Sequence, residues 1–141
     1  MKSINPTPYI FKDTFDFKFD TFKSKVDEYI AEASQYDEET PEKNAYTCPH
    51  HHQNVTIAVA CYLNAPPNSG NLLIKTPFEV HKYSEPLLHD YYDMERDWKT
   101  IEVNTNDVLF FPGWLTHKTG VNKVDEDRYV MSLNIMGVYT R

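Results

Sequence analysis

From Val55 onward the chain is a succession of short runs rich in β-branched and aromatic residues: "VTIAVACYL", "NLLIKT", "KTIEV", "DVLFF", "LTHKTGV" and "RYVMSLNIMGVY". Each run is too short for a core helix, and Pro, Gly, Asn and Asp cluster between several of them in "NAPPNSGN", "NTND" and "NKVDED". Short strands with marked turns specify a mainly β domain, a barrel or sandwich. One segment departs from this texture. "DTFKSKVDEYIAEAS" sets Phe22, Val26, Tyr29 and Ile30 at helical spacing, with Asp20 or Thr21 available as N-cap. It predicts one amphipathic accessory helix over about residues 21–34.

The 141 residues suit one domain, divided into an N-terminal helix and acidic loop over 1–43 and a β core over 44–141. Between Pro77 and Trp98, "PFEVHKYSEPLLHDYYDMERDW" follows neither period and reads as a lid or binding loop. His81, His89, Asp90 and Asp93 fall within it, solvated charge being their default. A formal charge of −7 argues against a nucleic-acid partner held through its phosphates. The opening residues interrupt their aromatics with charges, unlike a leader or a membrane span, so the expectation is a soluble, cytoplasmic protein. Cys48 and Cys61 are too few for a disulfide framework, and an exposed β edge offers a route to a homodimer.

Chemistry enters at "CPHHHQN". In an extended chain residues two apart face the same way, so His50 and His52 can converge on one metal while His51 points elsewhere. The same parity puts Asn54, Thr56, Ala58, Ala60 and Tyr62 on a small, polar face suited to a ligand cavity. It puts Gln53, Val55, Ile57, Val59, Cys61 and Leu63 on a core face. A third ligand is available from a distant strand in His117. The other readings of the run are a hydrated surface feature and a zinc site built from Cys48, His50 and His52. After Asp127, alternation places Arg128, Val130, Ser132 and Asn134 on one strand face. So many polar groups facing inward would be costly in a plain core, and an anionic ligand explains them. The alternatives are an ion pair of Arg128 with Asp125 or Asp127 at the surface and a core role for Tyr62.

The succession "PHHHQN … CYLNAPPNSGNLLI … DVLFFPGWLTHKTGVN … DRYVMSLNI", about residues 46–136, resembles the Fe(II)- and 2-oxoglutarate-dependent oxygenases. It is most similar to a compact group with a paired H-x-H, a Tyr-Leu strand, an FP-W-x-x-H segment and a closing R…S-x-N. The resemblance implies a double-stranded β-helix, or jelly roll, related to the cupins. It implies Fe(II) held by His50, His52 and His117, and 2-oxoglutarate held by Arg128 with Tyr62, Ser132 and Asn134 as hydrogen-bond donors. The implied reaction is an oxygenation, of hydroxylase type, that couples decarboxylation of 2-oxoglutarate to succinate with oxidation of a substrate. The wider superfamily has Asp or Glu where this chain has His52, and Asp90 is the carboxylate to consider if a histidine does not bind. Many relatives also carry serine at the position of Val130, a contact that Ser132 would take over. The competing expectation is a cupin-like metal-binding or sensing domain without turnover.

Overall fold

A computed structural model of the protein describes residues 10–34, 44–75 and 98–137. The long segment between Pro77 and Trp98, with His81, His89, Asp90 and Asp93, lies outside the described residues apart from Trp98. So does most of the acidic loop before Asn44.

The elements in chain order are β1 (Phe11–Thr14), a 3-10 turn (Phe19–Thr21), α1 (Lys23–Ser34), β2 (Ile57–Asn64), β3 (Leu72–Lys75), β4 (Trp98–Ile101), β5 (Asp107–Pro112), β6 (His117–Thr119) and β7 (Tyr129–Ile135). They form two sheets with the strand orders β1-β5-β2-β7 and β4-β3-β6, every pairing antiparallel. The six strands expected from the sequence are all present, and the molecule is a mainly β jelly roll with one α-helix among the described residues. That helix is too short and polar to cross a membrane, as is every helix among the described residues.

Between the sheets lie Ala58, Ala60 and Tyr62 of β2, Leu72 and Ile74 of β3, Leu109 and Phe111 of β5, and Leu115. Val59, Cys61 and Leu63, on the opposite face of β2, form a second cluster with Val108 and Phe19. This revises the sequence reading, in which only the odd-numbered face of β2 was core. Both faces are buried, because the N-terminal segment lays Phe17, Phe19, Phe22 and Val26 over the outside of the sheet. A strand covered on both sides is apolar throughout, as "VACYL" is. Burying a side chain the size of Phe19 contributes about 1.5–3 kcal/mol.

Two other features differ from expectation. The helix begins at Lys23 because the preceding residues wind as a 3-10 turn. Of the expected apolar stripe Phe22 and Val26 pack on the outer cluster, while Tyr29 is 71% exposed. The second is β1, which pairs with β5 from Phe11 opposite Phe110 to Thr14 opposite Asp107. All four of its residues are exposed, so its sequence shows no buried face. Lys12 holds the strand in place, its Nζ lying 2.6 Å from Oδ2 of the buried Asp107 and 2.9 Å from the Glu102 carbonyl.

Candidate metal and anion site

His50 lies in an extended segment just before β2 and is tied to the first residue of β6. Its N–H donates to the His117 carbonyl at 3.0 Å, and the His117 N–H donates back at 2.9 Å. Antiparallel partners that exchange both bonds carry their side chains on the same face, and the two ring centroids are 4.3 Å apart. His52 follows on that side, its ring 5.3 Å from His50 and 5.2 Å from His117. The segment stays close because the His52 N–H donates to the Gly113 carbonyl at 2.8 Å. A Cβ at residue 113 would stand 2.3 Å from the Val55 carbonyl oxygen, so only glycine permits that approach.

One ligating atom from each of His50, His52 and His117 lies within 4.8 Å of those of the other two. His51 is exposed and stands outside the group, while Cys48 is exposed and contributes no atom to it. Two backbone contacts set the imidazole tautomers. His50 Nδ1 is 2.8 Å from the Cys48 carbonyl, and His117 Nδ1 is 2.9 Å from that of Leu115. A carbonyl only accepts, so each Nδ1 carries the proton and each Nε2 presents a lone pair, the usual arrangement of metal-binding histidine. Burial, and then the neighbouring histidines, push the His52 pKa below its ordinary value. Burial is also the main cause of the lowering at His117, where the Leu115 carbonyl opposes it. Neutral imidazoles at neutral pH are what a divalent ion requires, and this donor set fits iron.

The three imidazoles line a cavity of about 240 Å³ that also contains Tyr62, Arg128, Ser132 and Asn134. Every site residue expected from the sequence thus borders one space. Arg128 is half-buried, and its Nη1 donates to the carbonyls of Ser69 at 2.8 Å and Gly70 at 2.9 Å. Among the described residues no carboxylate lies within ion-pairing distance of it, Asp125 and Asp127 included. Burial lowers its pKa, although a guanidinium stays charged at any physiological pH. Tyr62 is 1% exposed, and burial pushes its phenol up to about 12, so it remains a neutral O–H. Ser132 and Asn134 line the cavity from β7 but are exposed, so the inward-facing polar face expected there is open to solvent, and Ala58 and Ala60 opposite them provide the room. A larger groove of about 570 Å³ lies between α1 and residues 122–129, sharing Arg128 but none of the histidines. Of these two cavities the smaller is the one that brings the imidazoles together with the cation, which makes it the candidate site.

Sequence reasoning missed the backbone part of the site: the carbonyls of Cys48 and Leu115 behind the imidazoles, and those of Ser69 and Gly70 behind the guanidinium. The cluster "PPNSG" signalled a turn there but not its target.

The class defined by this fold and site is a metal-binding jelly-roll protein. Residues 39–134, more than half of the chain, match the family described as "Putative 2OG-Fe(II) oxygenase", and the chain belongs to that family. Among solved structures, HygX from Streptomyces hygroscopicus with iron bound is 11% identical, with a TM-score of 0.56 over 89% of this chain and 81% of that one. HygX with nickel and 2-oxoglutarate bound gives 12% identity and a TM-score of 0.56 over the same shares. Identity this low shows a shared fold. The chain spans only 39% of SnoN, an alpha ketoglutarate dependent epimerase from nogalamycin biosynthesis, at 17% identity and a TM-score of 0.44 over 64% of this chain. No curated protein matches the chain in sequence.

Proposed function

We propose that the protein is an Fe(II)- and 2-oxoglutarate-dependent oxygenase of hydroxylase type. The observation that carries this reading is Arg128: a half-buried cation with no carboxylate partner among the described residues, in the same cavity as three converging imidazoles. A protein that only bound a metal would need the histidines and not the guanidinium, and this disfavours the sensing-domain alternative. HygX, which shares the fold, has been solved with nickel and 2-oxoglutarate together, in line with a cavity that takes both.

In this reading His50, His52 and His117 present three neutral nitrogen donors to iron. Arg128 pairs with the distal carboxylate of 2-oxoglutarate, while Tyr62, Ser132 and Asn134 supply hydrogen-bonding groups along the cosubstrate. Leu72, Phe111 and the two alanines of β2 form the apolar part of the wall, while the β7 side, with Ser132 and Asn134, is open to solvent. Bound iron would supply the oxygen chemistry, coupling decarboxylation of 2-oxoglutarate to oxidation of the substrate. The chain's own contribution is donor geometry and a carboxylate anchor.

The test is succinate formation by the full chain with Fe(II), 2-oxoglutarate and ascorbate, first alone and then with host extract. Succinate that rises with extract supports an oxygenase. Its absence under both conditions, in protein shown to bind iron and 2-oxoglutarate, would favour the sensing domain.

A further inference from the structure

We infer that the turn Asn68–Gly70 is a positioning element for Arg128, with Gly70 as its key residue, holding the guanidinium so that its Nε and Nη2 edge is the one left for a carboxylate. This rests on the oxygenase reading and concerns how the same site selects a dicarboxylate.

A guanidinium carries five N–H donors: two on each terminal nitrogen and one on Nε. The carbonyls of Ser69 and Gly70 both accept from Nη1. That removes the end-on pair formed by Nη1 and Nη2. The remaining parallel pair is Nε with Nη2, and a bidentate carboxylate needs a parallel pair. The anchors are neutral carbonyls, so they orient the cation without cancelling its charge. A carboxylate in their place would compete with the ligand.

The turn is built to keep those carbonyls fixed. Asn68 has φ 67° and Gly70 has φ 95°, both in the left-handed region, while Ser69 is 2% exposed and its N–H donates to the Pro66 carbonyl at 3.0 Å. Two further bonds tie the turn to the chain approaching Arg128, from the Lys123 N–H to the Asn68 carbonyl at 3.1 Å and from the Gly120 N–H to the Asn71 carbonyl at 2.8 Å. A Cβ at residue 70 would stand 2.8 Å from Arg128 Nη1 and 2.2 Å from the Gly120 carbonyl oxygen. Any side chain there must displace the guanidinium or the strand end, besides adopting a φ that only glycine takes readily.

The test compares 2-oxoglutarate with 2-oxobutyrate, which shares the 2-oxo acid but lacks the distal carboxylate, by anaerobic calorimetry on the Fe(II)-loaded full chain. Wild type should bind 2-oxoglutarate more tightly. Equal affinities would overturn the oxygenase reading and this inference together. Gly70→Ala should weaken 2-oxoglutarate binding about tenfold or more, with 2-oxobutyrate affinity and iron stoichiometry unchanged. A general loss of structure would move all three. A folded Gly70→Ala protein that loses less, while Arg128→Gln loses more, overturns the positioning role and leaves the oxygenase reading standing. If Gly70→Ala does not fold, Arg128→Lys decides. An ammonium has three donors, so with two on the turn carbonyls it keeps one for a carboxylate and cannot form the parallel pair; this variant should bind 2-oxoglutarate about tenfold or more weakly than wild type. Tighter binding than that overturns the inference.

Discussion

His50 and His117 exchange both of their backbone hydrogen bonds, at 3.0 and 2.9 Å, and this pairing brings their rings to 4.3 Å. The convergence is therefore fixed by the backbone, and the side chains need only their Nδ1 contacts to aim Nε2 inward. His50→Ala, His52→Ala and His117→Ala are each expected to abolish stoichiometric Fe(II) binding. The exposed His51 stands apart, and His51→Ala should bind normally. Calorimetry of the four variants checks this, and loss of metal in the His51 variant would contradict the assignment.

Arg128 should govern the cosubstrate and not the metal. Removing one member of a desolvated charge pair costs about 2–5 kcal/mol, a loss of affinity of roughly 30-fold to several thousand-fold. Arg128→Gln is thus expected to keep Fe(II) and to need correspondingly more 2-oxoglutarate. A surface ion pair would be worth less than about 1 kcal/mol. A change in the 2-oxoglutarate dissociation constant below about fivefold would take Arg128 out of the site.

The N-terminal segment should act on stability alone. Phe19 is 7% exposed, and its ring lies 5.4 Å from that of Phe22 and 4.7 Å from that of Tyr129. Phe19→Ala should cost about 3–5 kcal/mol, read as a lower midpoint in urea, while iron stoichiometry at low denaturant stays the same. An unchanged midpoint would show that the outer cluster does not hold the sheet.

Much of the candidate site was legible in the sequence because strand geometry is periodic. The H-x-H spacing gave His50 and His52, and the alternation after Asp127 put Arg128, Ser132 and Asn134 on one face, where the cavity lies. What stayed hidden has no side-chain signature. The carbonyls of Ser69 and Gly70 that hold Arg128 are backbone groups, indistinguishable in sequence from those of any turn. β1 exposes all four residues, so it lacks the one-sided apolar pattern by which a strand is recognised. The face of β2 bearing Ala58 and Ala60 was assigned to a ligand cavity when it is also inter-sheet core, because small apolar residues suit both. In α1 the spacing gave the element but not its contacts: Tyr29 continues the stripe of Phe22 and Val26 and remains exposed.

On the proposed function one cavity binds Fe(II) and 2-oxoglutarate together, the metal through three histidines and the cosubstrate through Arg128. The most direct test is anaerobic titration of the Fe(II)-loaded protein with 2-oxoglutarate, followed by visible absorption. Wild type is expected to develop a metal-to-ligand charge-transfer band that saturates at one equivalent. In Arg128→Gln the band should require at least about 30-fold more 2-oxoglutarate, and in His117→Ala it should be absent. A wild-type protein that binds Fe(II) and develops no band at any 2-oxoglutarate concentration would contradict the proposed function.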